Sequence, residues 1–412
     1  MQLSKIKQML SDSLRILNKF GLLLIVSFIL LRPFYLGNTP TSYNLLITIM
    51  LYVGCLLYII SKKGIYKMGG YNLSIFLFVL SLVLSLIISG NIESNLPRLF
   101  SYISLPLIAY IISQTNTKEK NYIIFVILLG AFILSLHAMR AFFVVMKYIP
   151  EYLDKNNLNY PFAQEFLSRK RAFSPFFLPN LLAGYLIMIV PIFTQSFIQA
   201  ISEKKIPKTI FTILGFILTF TILFLTKSLG AWIALFAAVL TLLFIKKKYN
   251  KMILLVLALI FLCFVGILLY RLNHNQEQAS PLFSLKQRLS YFKDTISIIK
   301  NQPFLGVGLG NFSLKNTRFA HNSYLQIWAE LGILGLLSWI AIIFSFLVKG
   351  IRSIKKSTAS SGLFIAGMAF LMHNMIDFSF FEPQVSFLWW VILGLIINND
   401  KNNKSISTGR NY

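Results

Sequence analysis

The sequence is short of charge, of acid and of cysteine. Charged residues fill 13% of its 412 positions, about half the share found in a soluble chain. Only 13 are Asp or Glu, against 39 Lys and Arg, and there are four histidines. So little charge excludes a soluble globular domain of this length. Cys55 and Cys263 are the two cysteines, each inside its own apolar run, which excludes a disulfide framework and a thiolate metal site.

What is present is apolar. Hydrophobic residues make up 56% of the chain and the mean hydropathy is +0.71. They gather into runs of roughly 17 residues or more, the length that crosses a hydrocarbon core of ~30 Å. The expected spans are 20–36, 43–60, 72–90, 96–113, 121–146, 178–200, 208–226, 229–245, 252–270, 323–348, 359–376 and 384–398. The fold class is therefore all-α: a single integral-membrane domain over 1–412 with about 12 transmembrane helices. The N-terminus, with Lys5, Lys7, Arg15 and Lys19 before GLLLIVSFILL, imitates a signal peptide. No small-residue cleavage site follows it and more spans do, so it is read as an uncleaved first helix.

The net charge of +26 needs no nucleic acid to explain it. Every second connection is basic: SKKGIYK, TKEK, SEKKIPK, KKKYNK and KGIRSIKK, together with both tails. More than half of all Lys and Arg lie there, and the intervening short connections are nearly free of them. Cytoplasmic loops concentrate such charge, so both termini are expected in the cytoplasm, including the polar tail 399–412, expected without structure. Two segments too long and polar for hydrocarbon, 147–177 and 271–322, then fall outside. They carry their own basic set, Arg169, Lys170, Arg171, Lys286, Arg288, Lys293, Lys300, Lys315 and Arg318. Such an outer surface suits a polyanionic ligand; attraction to anionic lipid headgroups explains it equally.

Residues 286–300, KQRLSYFKDTISIIK, place Leu289, Phe292, Ile296 and Ile299 on one stripe of a helix. That amphipathic helix is expected along the membrane surface, with Arg288, Tyr291 and Thr295 on a neighbouring face. A guanidinium at headgroup depth can fork two phosphate oxygens; the plain alternative is a snorkelling arginine. GVGLG at 306–310 has neither the strand before it nor the helix after it that a dinucleotide fingerprint requires. Its glycines are expected to form a tight turn whose amides could cradle an anion. In AHNSYLQIWAELG, Asn322 or Ser323 is expected to cap the re-entering helix. His321 stands just outside its positive end, where the dipole disfavours imidazolium and leaves a neutral ring able to act as a base. Glu330 is a carboxylate within a span and needs a partner. His373 and Asp377 are four apart, a spacing that permits contact, and His137 and Arg140 share a face. For each of these the competing reading is structural pairing that fixes helix packing.

The segments RAFSPFFLPNLLAGYL (171–186), TKSLGAW (226–232), RLSYFKDTISIIKNQPFLGVGLGNF (288–312), AHNSYLQIWAELGILGLL (320–337) and HNMIDFSFFEPQVSFLWWVILGL (373–395) together resemble the O-antigen ligase/polymerase superfamily. The resemblance implies an inverting glycosyltransferase without metal or cofactor, at the outer face of the inner membrane. Its donor would be a glycan on undecaprenyl diphosphate. A ligase passes the glycan to a hydroxyl of lipid A-core, and a polymerase to a second lipid-linked glycan. The resemblance makes His321 the general base and Arg288 a diphosphate ligand. It also shows a departure: where the family has Arg in T-x-S-R-G-A, this chain has Leu229, leaving Lys227, Arg171 and Arg140 as candidates for that load. Glu330, His373, Asp377 and Asn322 are supporting candidates. A lipid-linked glycan transporter is the reading from another class, and it expects repeat symmetry and broken helices near the midplane. The polar residues instead gather at one face.

Overall fold

A computed structural model describes residues 2–35, 42–62, 71–156, 170–246, 251–273, 281–315, 317–356 and 360–408. Arg169 and most of the GNTPTS connection lie outside them. Among the described residues the chain is helical, with no sheet. The helices are α1 (Gln2–Leu31), α2 (Ser42–Ser61), α3 (Tyr71–Ile88), α4 (Ile92–Ile112), α5 (Thr117–Arg140), α6 (Met146–Lys155) and α7 (Pro179–Ser202). They continue with α8 (Ile206–Leu225), α9 (Leu229–Lys246), α10 (Lys251–Asn273), α11 (Pro281–Asn301), α12 (Ser323–Lys356), α13 (Ser361–His373) and α14 (Pro383–Thr408). Among the described residues eight helices are long and apolar enough to cross a membrane, and four shorter apolar ones, at 73–88, 257–270, 361–373 and 383–397, fall on the remaining expected spans.

Local chemistry explains several boundaries. Asn116 accepts from the Glu119 amide at 2.9 Å while Glu119 accepts from the Asn116 amide at 2.9 Å; this reciprocal cap starts α5. Pro179 opens α7 at a position where its missing N–H costs nothing. One span runs past its expected end, and one expectation fails. The fifth span continues through a π-helical turn at Ala141–Val145 into α6, so the first outer segment begins as helix. The polar tail continues α14 to Thr408, because nothing in KNNKSIST breaks a helix already nucleated by the apolar run before it.

The core is aromatic. Trp339 of α12 meets Phe380 at 4.6 Å and Trp389 of α14 at 4.9 Å, with Phe78 of α3 at 6.0 Å. These three helices and α4 pack together, and the segment between α13 and α14 is pinned above them. Gln384 reaches the carbonyl of Pro33, and the Tyr102 hydroxyl donates to the Phe381 carbonyl at 3.1 Å.

The most consequential feature is a break in α12. Gly332 has φ 68° and ψ −169°, a region open essentially to glycine alone. The break frees carbonyls that hydrocarbon could not satisfy, and the glycine loop supplies their partners. Val307 N donates to Ala329 O at 2.8 Å and Gly308 N to Glu330 O at 3.2 Å, while Ile333 N donates to Phe304 O at 3.2 Å. Ser85 Oγ of α3 also donates to Glu330 O, at 2.7 Å. Gly332→Ala would meet the Phe304 carbonyl oxygen and keep an unfavourable φ. We expect it to cost on the order of 1–3 kcal/mol from backbone strain alone, seen as a lower melting temperature in detergent. Gly266→Ala, where an added methyl meets nothing within 4 Å, should leave melting nearly unchanged.

Candidate active site

His321 is built in by three elements. Asn322 caps α12, its Oδ1 accepting from the amides of Tyr324 at 3.0 Å and Leu325 at 3.1 Å. Ser323 ties the same turn to the end of α13: its amide donates to Asn374 O at 2.9 Å and its hydroxyl to Asn374 Oδ1 at 2.6 Å. Between these anchors His321 takes φ 51°, a left-handed conformation that His adopts more readily than bulky residues do and that marks a constrained site. Its ring stacks on Tyr291 of α11, centroids 5.4 Å apart, and meets the edge of Phe378 at 5.1 Å.

The face of α11 that carries Tyr291 also carries Arg288 and the fully buried Thr295, while Leu289 is 55% exposed. The amphipathic helix therefore leaves Leu289 and Ile296 of its apolar stripe exposed, buries Ile299 at its end in a small core cluster, and turns the half-buried Arg288 toward the histidine. The imidazole pKa is lowered to about 4, first by burial; Asp377 pulls it up and the Arg288 charge pushes it down. The sequence suggested a neutral ring because of the helix dipole; burial is the larger cause. Nδ1 of His321 and Oδ2 of Asp377 are both buried and have no hydrogen-bond partner among the described residues.

His373 and Asp377 do not touch directly, as their spacing had allowed. The Ser379 hydroxyl stands between them, donating to Asp377 Oδ1 at 3.0 Å and lying 3.4 Å from His373 Nδ1. The chain turns after His373, so the helical i, i+4 register ends before Asp377 is reached.

The glycine loop corrects another expectation. Its amides are already spent on the break in α12, on Ser85 O, which accepts from Leu309 N at 3.0 Å, and on Glu330 itself. Gly310 N donates to Glu330 Oε2 at 3.0 Å and Gln326 Nε2 to Oε1 at 2.9 Å. The anion this loop cradles is the protein's own carboxylate, 4% exposed. Glu330 looks onto a cavity of about 420 Å³ lined also by Arg98, Tyr102, Arg318, Phe319 and Gln326. Phe319 is the shared wall with the histidine: its ring stacks at 3.8 Å on Phe378.

The candidate substitutes for the family arginine lie elsewhere. Arg171 is committed to the 226–228 turn, with Nε donating to Thr226 O at 2.7 Å and a terminal nitrogen to Asn180 Oδ1 at 2.9 Å. Ser228 Oγ donates to the same Asn180 oxygen at 3.0 Å. Lys227 has its ammonium 3.9 Å from the centre of the Tyr270 ring, and Leu229 packs on the hydrophobic core. This turn abuts the 373–379 segment, since a methyl on Gly230 would meet Ile376 at 2.7 Å. Arg140 is exposed at the end of α5, where His137 Nε2 lies 3.1 Å from Ser174 Oγ.

Sequence reasoning named Arg318 only as one of a basic set, and missed Arg98 and also Arg32, which is 2% exposed beside Asn44 Oδ1 at 3.2 Å. Arg32 and Arg98 each stand inside an expected span, and an ionisable residue there is a site signal by itself. No curated protein and no solved structure matches the chain. A family model described as O-Antigen ligase matches residues 214–340, less than the 170–395 over which the resemblance extends but including Arg288, His321 and Glu330. Over residues 214–340 the chain is thus similar to the O-antigen ligase family, in the same part of the sequence as the motifs that carry the superfamily resemblance, and its apolar helices suit a multi-pass membrane protein.

Proposed function

We propose that this chain transfers a glycan from undecaprenyl diphosphate to a hydroxyl of lipid A-core at the outer face of the inner membrane. Members of the family are glycosyltransferase-like ligases or polymerases. The observation that carries the reading is the stacking of His321 on Tyr291, three residues beyond Arg288 on one face of α11. It brings together a neutral imidazole and a guanidinium that lie 33 positions apart in sequence.

The chemistry asks for both. The acceptor oxygen attacks the anomeric carbon from the side opposite the leaving group, which inverts its configuration. The bond from that carbon to the diphosphate oxygen breaks, and the acceptor proton passes to His321. The departing diphosphate gains negative charge, which Arg288 can bind bidentately as it develops. Arg171 supports the site indirectly by holding the Thr226–Ser228 turn, and Lys227 offers a point charge there. The Glu330 cavity supplies room for sugar: aromatic walls for its C–H faces, with Arg98, Gln326 and Glu330 for its hydroxyls.

The test is to incubate purified chain with undecaprenyl diphosphate-glycan, with and without lipid A-core, and separate the products by size. Transfer to the core, and only when the core is present, is expected. Lengthening of the lipid-linked glycan in its absence would make the chain a polymerase, and neither product would remove the enzyme reading.

A further inference from the structure

We propose that the cavity over Glu330 selects a sugar that bears a carboxylate, an acidic unit such as a hexuronic acid, with Arg98 and Arg318 as the residues that recognise it; this rests on the reading above that the cavity receives glycan. The two guanidiniums come from different elements and both line the cavity. Arg98 is half-buried on α4, and Arg318 is exposed on the loop that leads to α12. A methyl on Gly310 would collide with the Arg98 guanidinium, so the bare glycine is what lets that side chain lie across the loop. Among the described residues neither guanidinium donates a hydrogen bond or makes an ion pair. The carboxylates of the same walls are engaged. Glu330 accepts from Gly310 N and from Gln326 Nε2, one bond to each oxygen, and the Arg98 charge reaches it only at longer range. Glu382 interacts electrostatically with the buried Arg32, which does not line the cavity. With Arg32 counted, three guanidiniums stand around two carboxylates, and the cavity is short of one negative charge.

The shortfall and the walls together pick the ligand. Phe177, Phe312 and Phe319 offer aromatic surface on which the C–H face of a pyranose ring packs. A bare anion would leave that surface wet, and a neutral sugar would leave the guanidiniums without an anion. A sugar carboxylate meets both needs: its two oxygens match the planar fork of an arginine, and its single charge equals the deficit. A diphosphate carries more charge than the deficit, and it has Arg288 beside His321 to hold it. The same recognition serves an acid carried by the donor glycan or by the acceptor.

Saturation-transfer NMR of the full chain in neutral detergent tests this without any need for transfer activity. It compares methyl glucuronide with methyl glucoside, the same ring with a hydroxymethyl group in place of the carboxylate. We expect the glucuronide to bind more tightly by on the order of tenfold, the worth of a charge-assisted hydrogen bond. Arg318→Gln and Arg98→Gln should each remove most of that preference. Lys315→Gln, which takes the same charge from an exposed position of the same loop outside the cavity lining, should keep it. Arg318 is exposed, so its variant carries the comparison if Arg98→Gln fails to fold. Equal binding of the two glycosides, equal loss in Arg318→Gln and Lys315→Gln, or displacement of the glucuronide by an equal concentration of inorganic phosphate would each overturn the proposal. Once transfer is measured, the Michaelis constants of Arg318→Gln locate the acid. A rise for the lipid-linked glycan alone puts it on the donor and a rise for the core alone puts it on the acceptor, while no rise for either would overturn its selection by the cavity.

Discussion

His321→Ala should lower glycan transfer by a factor on the order of 10²–10⁴, the range that a positioned general base supplies. The acceptor alcohol keeps its proton at neutral pH and attacks poorly unless the proton leaves as the bond forms. The imidazole is held between the rings of Tyr291 and Phe378, and burial keeps it unprotonated and ready to accept. Alanine at φ 51° leaves a strained backbone, so His321→Asn is the cleaner variant, since Asn tolerates the left-handed region. Both should be inactive, and His321→Asn should melt with the parent. Transfer at parental rate by either would remove the base assignment. The profile of kcat/KM against pH gives a second readout. A pKa of about 4 means the base is unprotonated well below neutrality, so activity should persist through pH 6.5, where an ordinary histidine is half protonated, and fall only nearer pH 4.

Much of the architecture was legible because hydropathy is written one residue at a time. Runs of apolar side chains give helices at all twelve expected places, and the period of the stripe at 289, 292, 296 and 299 gives α11 as a helix, though Ile299 is buried where Leu289 and Ile296 are exposed. The cap at Asn322 followed from its side-chain oxygen standing beside unpaired amides. The break in α12 was not seen, because ELGILGLL reads as continuous apolar helix. Its signal was present in Glu330 and Gly332 together: a carboxylate two residues before a glycine inside a span points to interrupted backbone that lines a cavity. The fate of the GVGLG amides was hidden for the same reason. Whether exposed donors wait for a ligand or serve another helix depends on contacts such as Gly308 with Glu330, between residues 22 positions apart. The committed role of Arg171 in bracing the Thr226 turn is likewise a tertiary fact, since one guanidinium in a basic segment looks like any other.

Arg288→Ala should lower the rate by on the order of 10²–10³, the loss seen when one donor to a developing anion is removed, and should also change the pH profile in a direction that a snorkelling arginine could not produce. The Arg288 charge holds the imidazole pKa down, so its removal moves the acid limb of kcat/KM upward from about 4. The movement is partial, because burial is the larger cause and remains. Arg288→Lys keeps the charge and loses the planar fork; its acid limb should stay with the parent while the rate recovers only in part. The same argument separates the two kinetic profiles of the parent protein. Bound diphosphate neutralises Arg288 and brings negative charge toward His321, so the acid limb of kcat should lie above that of kcat/KM, and the donor would itself raise the basicity of the group that activates the acceptor. Coincident limbs, with an Arg288→Ala profile superimposable on the parent's, would separate the guanidinium from the histidine and leave the diphosphate to other cations such as Arg98 and Arg318.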